Sequence, residues 1–276
     1  MSFFSFKLDS QSENRVAFVG WHEGSAGQIH SWFEESNLGK IVFFIHPEND
    51  PPEIKKISRV VSQFSYPEDG KFKNVPLICK KNWPEFLIQN KVNKVLITIS
   101  DPIERWIEMK KAYDSGLELI NAIHPSTLLL KECILGKNII IHPRSTIGYK
   151  AEIDDGVIVN IGTQIDHHCK IEKAVTIDPG VTLAGNVLIE NFCTIHTRAV
   201  IINRIKIGSN SIIGAGTVII RDVEPNSKVV GVPGKKIRRL FNKLMRSLNL
   251  KNKGKESSKE PTEIKLNFAI IKFAFC

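Results

Sequence analysis

From Ile123 to Ile219 every sixth residue is Ile, Leu or Val, seventeen positions without an exception. A strict period of six excludes an amphipathic α-helix, whose buried face recurs about every 3.6 residues. A second column, four residues further on, begins Thr127, Cys133, Ile139, Ser145, Ala151 and stays compact or β-branched as far as Val223. One aliphatic residue inside each short strand and one compact residue near each corner are what a triangular β-solenoid requires. Three hexapeptides, about 18 residues, close one coil, and coils stack at the inter-strand spacing of about 4.8 Å. Each unit buries its apolar face only against the coils above and below, so the array is stable only as a stack. The 102 residues from Ile123 to Glu224 supply between five and six coils.

The whole chain has 276 residues, which leaves room for a second domain before the array. No apolar run approaches the roughly 20 residues of a membrane span. The N-terminus, Met1 to Lys7, lacks the basic start and apolar stretch of a secretory leader. Five cysteines, an odd number with no CxxC pair, speak against a disulfide framework and against a zinc ribbon. A reduced, cytoplasmic protein without a metal is expected. The net charge of +9 suggests nucleic acid until it is located. From Glu224 onward there are 13 Lys or Arg against 4 Asp or Glu, whereas the preceding 223 residues carry 25 of each sign. With a neutral body and no zinc-finger, RRM or basic-zipper pattern, nucleic acid is not an expected partner.

Before the array, residues 15–20 read as a buried strand ending in glycine, followed by a helix to about Glu35. Strands at Lys40–His46 and Asn93–Ser100 follow, with a helix beginning near Asp101-Pro102; residues 47–80 read as loop and short helix. Strands alternating with helices imply a small parallel α/β sheet. Gly20, Gly24 and Gly27 allow a tight turn after the first strand, and the helix N-terminus beyond it can receive a phosphate. These glycines are not a full GxGxxG, and a merely structural βα turn explains them as well. After the array, Ile237, Leu240, Phe241, Leu244 and Leu248 share one face of a basic helix, which suits packing on the solenoid or contact with a membrane. Residues 251–263 read as disordered, and Leu266–Cys276 is apolar but too short to span a bilayer.

The period of 18 stacks side chains without a structure. One outward column is Tyr149, His167, Gly185, Asn203, and an adjoining one is His142, Asn160, Asp178, His196. Gly185 thus lies above His167 and leaves a notch over the imidazole through which a ligand can approach the backbone. Histidine moves protons at neutral pH, but a solvent-facing histidine is also ordinary surface, and His124, His142 and His196 point outward too.

The coils Ile207-Gly208-Ser209-Asn210-Ser211 and Ile213-Gly214-Ala215-Gly216-Thr217, with the exit Val230-Gly231-Val232-Pro233-Gly234-Lys235, resemble the hexapeptide-repeat acyltransferases, whose fold is a left-handed parallel β-helix. The stretches Asn160–Cys169 and Pro179–Val187 are similar to the sialic acid and nucleotide-amino-sugar acetyltransferases of the NeuD/PglD type. Those proteins begin with a Rossmann-like domain, so the resemblance spans about residues 15–239. It implies an α/β nucleotide-sugar-binding domain over 1–120, the β-helix over 121–224 and a basic tail over 225–276.

The resemblance further implies acetyl-CoA as cosubstrate, no metal, and a homotrimer with its sites between neighbouring β-helices. The acceptor is then the amine of a UDP-linked amino-deoxysugar, for surface glycan biosynthesis, or alternatively a sialic-acid-like hydroxyl. His167 matches the general base; with no acidic residue directly after it, Asp166 or a neighbouring subunit is expected to orient it. Asn160, Thr176, Gly185, Gly214 and Lys235 are the implied CoA contacts, and Gly20, His22, Gly24 and His168 the implied substrate contacts. Three positions depart from the family pattern. The acidic residue that commonly follows the base is His168, the histidine expected nine positions after the base is Thr176, and His196-Thr197 replaces a coil-opening glycine. These departures keep open a non-catalytic nucleotide-sugar-binding scaffold.

Overall fold

The computed structural model describes residues 14–51 and 66–237. The tail helix expected from Ile237 to Leu248 and the segments beyond it lie outside the described residues. Six short strands form the N-terminal sheet: β1 (Arg15–Val19), β2 (Lys40–His46), β3 (Lys71–Phe72), β4 (Val75–Cys79), β5 (Lys94–Ile97) and β6 (Glu118–Leu119). Their order is β3-β4-β2-β1-β5-β6, parallel throughout except for the β3–β4 hairpin. Three helices accompany them: α1 (Glu23–Phe33), α2 (Trp83–Gln89) and α3 (Pro102–Asp114). The loop reading of residues 47–80 is corrected by β3 and β4. Leu77 and Phe72 bury their side chains there, but two anchors in so short a stretch make no period that a sequence can display.

From Ala122 onward two-residue strands wind into three parallel sheets. The first face stacks 122–123, 140–141, 158–159, 176–177, 194–195, 212–213 and 228–230. The second runs from 128–129 to 218–219, and the third from 134–135 to 206–207. Each strand from 122–123 to 200–201 pairs with the one 18 residues on, as Ile141↔Val159 and Ile165↔Leu183 show, and at the last coil the offset shortens to 16, as in Ile213↔Val229. The period-six aliphatics and their compact partners make one continuous core from Ile139 to Val229.

A third column was not read from the sequence. Every sixth residue from Glu132 to Gly216 has a left-handed backbone, with φ between +53° and +73°. Each corner needs one such residue, because the chain must turn by about a third of a circle within a few bonds. Glycine fills four of these positions and Asn three, the types that tolerate αL best. The remaining corners hold Ala174 and larger residues, among them His168.

Polar residues tie the sheet domain to the β-helix. Arg105 of α3 is fully buried, and among the described residues no carboxylate is hydrogen-bonded to it. Its Nε donates to the Gly156 carbonyl (2.7 Å), Nη1 to those of Ile99 and Ser100 (2.7 and 2.9 Å), and Nη2 to Ala174 O and Thr176 Oγ1 (2.7 and 2.9 Å). Burial lowers its pKa to about 9, which still leaves it charged at neutral pH. Asn138, at a β-helix corner, continues the pairing of β5: its Oδ1 accepts from Ile97 N–H (2.7 Å) and its Nδ2 donates to Ile97 O (3.0 Å).

His142, expected outward, is 3% exposed. Its column does point away from the β-helix axis, but α1 lies over it and sets Trp32 edge-on, with ring centroids 5.9 Å apart. Burial, reinforced by His124, lowers the His142 pKa to about 4. In the unfolded chain a histidine titrates near 6.5, so between those values the unfolded state holds a proton that the folded state refuses. Stability is therefore constant above about pH 6.5 from this group and falls as pH drops from there to about 4, by roughly 3 kcal/mol. His142→Gln is expected to flatten the slope of urea-unfolding stability over that window; an unaltered slope contradicts the assignment.

Candidate active site

His167 stands on the corner between the second and third faces. Its ring fills the space over Gly185: a Cβ built on that glycine would lie 2.5 Å from both Cε1 and Nε2. The notch expected above the imidazole is thus occupied by the imidazole itself. Glycine at 185 leaves room for the ring, and His167 as a residue is exposed. The other ring nitrogen, Nδ1, is 3.0 Å from Nδ1 of His168. Asp166 takes a different part from the one expected: its Oδ1 accepts the backbone N–H of His167 at 2.7 Å and so shapes the corner rather than bonding the ring. His168 in turn packs edge-on against Tyr149, with centroids 5.7 Å apart, and Tyr149 Oη donates to Glu132 Oε1 at 3.0 Å. Below this corner a groove of about 510 Å³ is lined by His168, Cys133 and the ion pairs Lys150–Glu132 and Lys170–Glu152. The neighbouring thiol of Cys169 is pushed up to about 11 by burial and is no nucleophile at neutral pH.

Asn160 is not beside His167 in the same chain. It occupies the corner that precedes strand 164–165, whereas His167 occupies the corner that follows it, so one whole face separates them. There Asn160 Nδ2 meets Asp178 Oδ1 at 3.5 Å, and Asp178 Oδ2 meets His196 Nδ1 at 2.8 Å. The sequence stacks these three residues correctly but gives no sign of the Asp178–His196 pair.

Two implied CoA contacts have structural work instead. Thr176 is 7% exposed, accepts from Arg105 and donates to Ser100 O at 3.2 Å, which turns it toward the N-terminal domain. Gly214 faces the chain exit, where a Cβ would come within 2.7 Å of Val230 Cγ1. Lys235 is exposed on the short strand that pairs back on 229–230 and, with Lys236 and Arg221, lines a cleft of about 420 Å³ at the last coil.

The N-terminal candidates gather at the C-terminal edge of the sheet. Gly20 has φ +98°, and a Cβ there would meet Ile99 Cγ1 at 2.1 Å, so only glycine lets β1 turn against the end of β5. Its N–H and that of Trp21 both donate to Ile45 O. His22 caps α1, its Nδ1 accepting from Gly24 N–H at 3.2 Å. Chain order reverses direction between β1 and β5, and this turn sits at that switch point, where open α/β sheets take their ligands.

Residues 186–221 match the family model for the bacterial transferase hexapeptide (six repeats). Comparison with curated protein sequences gives no match. Among solved structures, PerB from Caulobacter crescentus, in complex with CoA and GDP-perosamine, superposes with a TM-score of 0.71 at 24% identity, over 82% of this chain and 98% of PerB. The acetyltransferase domain of PglB from Neisseria gonorrhoeae, in complex with acetyl coenzyme A, gives 0.67 at 24% identity, over 81% and 99%. WeeI from Acinetobacter baumannii gives 0.61 at 19% identity, over 80% and 99%. The protein is a hexapeptide-repeat chain with a Rossmann-like sheet followed by a left-handed parallel β-helix. In fold it is similar to the PerB and PglB acetyltransferases along nearly their whole length.

Proposed function

We propose that this protein is an acetyl-CoA-dependent acetyltransferase whose acceptor is the amine of a nucleotide-linked amino-deoxysugar, UDP being the expected nucleotide. The observation that carries the reading is the His167 corner: an exposed imidazole seated on a glycine, with Nδ1 engaged inside the chain and Nε2 left as the nitrogen an acceptor can meet. The amine attacks the thioester carbonyl carbon while His167 takes the proton that the amine sheds. The tetrahedral intermediate then collapses, the C–S bond breaks, and CoA leaves as the thiol, its sulfur taking the proton from the His167 imidazolium and restoring the base. No covalent enzyme intermediate is needed. Holding both substrates together supplies orientation, and the base adds about 10²–10⁴-fold. The likeness to PerB and PglB, whose structures hold CoA, GDP-perosamine or acetyl coenzyme A, supports this substrate class.

The Gly20 turn, with His22 and Gly24, is the place we assign to the nucleotide, and the exposed Lys235 to the phosphates of CoA. The working unit in this reading is a homotrimer in the cytoplasm. It is favoured by the position of Asn160 and His167 on opposite edges of one face, which lets them share a site only across two copies. Free-thiol release from acetyl-CoA, with a panel of UDP- and GDP-linked amino sugars and free sialic acids, tests the reading. Turnover with an amino sugar is expected. Turnover confined to a sialic acid moves the protein to O-transfer, and silence across the panel rejects the transferase.

A further inference from the structure

Two imidazole nitrogens 3.0 Å apart must share one hydrogen, since two lone pairs at that distance repel and two N–H groups clash. There are two ways to place it, and they differ in what His167 can do. If His168 Nδ1 carries the hydrogen, His167 Nδ1 is the acceptor, and the neutral His167 ring holds its own proton on Nε2. Nε2 is then already protonated and takes up nothing. If His167 Nδ1 carries the hydrogen, Nε2 has a free lone pair. Once Nε2 has received a proton, His167 is an imidazolium that can only donate at Nδ1, and the contact to His168 persists unchanged.

We infer that His168 is the positioning residue of the site: it accepts the Nδ1–H of His167, fixes its tautomer and leaves Nε2 as the proton acceptor. The inference rests on His167 acting as base. It gives a neutral ring the place that a carboxylate would occupy, and it moves His168 from the substrate contacts to the support of the base. The supports of His168 fit this task. Its backbone, at φ +56°, is held by N–H donation to Tyr149 O at 2.9 Å. Its ring is braced by Tyr149, which is itself fixed by Glu132 and has Lys150 Nζ 5.2 Å above its own ring. Asp166, the nearest carboxylate in sequence, is engaged by the backbone. Which nitrogen of a histidine is protonated is coupled to the bond the other one makes, so a His167 that takes up a proton at Nε2 requires the shared hydrogen to sit on its own Nδ1, with His168 as acceptor.

The experiment is a long-range ¹H–¹⁵N spectrum of the full-length protein with labelled histidine, which reports the tautomer of each ring without any substrate. Wild-type His167 is expected to show Nδ1 protonated and Nε2 bare. His168→Phe keeps an aromatic ring at a corner of the same kind as the one Phe192 already occupies at φ +60°, but removes the acceptor. In it the His167 signals should shift to the Nε2–H form, with kcat for acetyl transfer lowered by about tenfold to a hundredfold and KM for acetyl-CoA unaltered. His168→Asn, whose side-chain carbonyl can accept and whose backbone tolerates the left-handed corner, should restore the Nδ1–H form. A wild-type His167 protonated on Nε2, a His168→Phe spectrum with His167 unchanged, or no restoration by Asn overturns the assignment. Absence of acetyl transfer in the wild type would instead sink the transferase reading and leave the tautomer to be read on its own.

Discussion

His167→Ala is expected to lower kcat for acetyl transfer by about 10²–10⁴-fold, the whole contribution of a positioned base, while the fold and binding of CoA survive. The side chain is exposed and packs on a glycine rather than in the core, so its removal opens no cavity. Gly185→Ala is the companion variant. It retains the base but drives a methyl into the space of Cε1 and Nε2, and since the atoms it meets belong to a ring that can swing aside, the cost falls on the orientation of His167 and not on folding. Activity should drop in both variants with thermal unfolding little changed. Full activity in His167→Ala would remove the base from the mechanism, and full activity in Gly185→Ala would show that the ring orientation seen here is not the working one.

The second large effect is on stability. Arg105→Met keeps most of the volume but strips five hydrogen bonds from the buried seam between α3 and the β-helix. The carbonyls of Ile99, Ser100, Gly156 and Ala174 lose those donors in a place where water cannot readily replace them. A loss of roughly 3–5 kcal/mol is expected, in the range found when one member of a buried polar network is deleted. Arg105→Lys preserves the charge but not the planar fork that reaches two elements at once, and should recover only part of the loss. Urea unfolding of the full chain measures both; a change below about 1 kcal/mol for the Met variant would mean that the seam is held by its apolar contacts alone.

The architecture of the β-helix was legible because its stability is local and repeated. Each coil buries the same column on the same neighbours, so the period of six in the sequence and the 18-residue register in space are one fact seen twice. The same arithmetic placed Gly185 over His167 and put Asn160, Asp178 and His196 in one stack. The two stacks, read as adjoining, stand on different corners: the seven positions from Asn160 to His167 span a whole six-residue face. The arithmetic could not show that the ring fills the notch that glycine opens.

What the sequence alone determined, then, is the repeat, the sheet domain before it and the residues that share a column. Tertiary structure decided which of those residues are available. Thr176 and His142 carry side chains that suit a site, yet α3 and α1 cover them. Arg105 and Asn138 reach 41 to 71 positions along the chain, in contacts that no period records. His168 follows His167 in the chain, and only the 3.0 Å between two nitrogens shows that their rings meet. Periodic burial is written once per repeat and can be read from any one copy. A contact between two different elements is made once, by two residues whose types leave it unannounced.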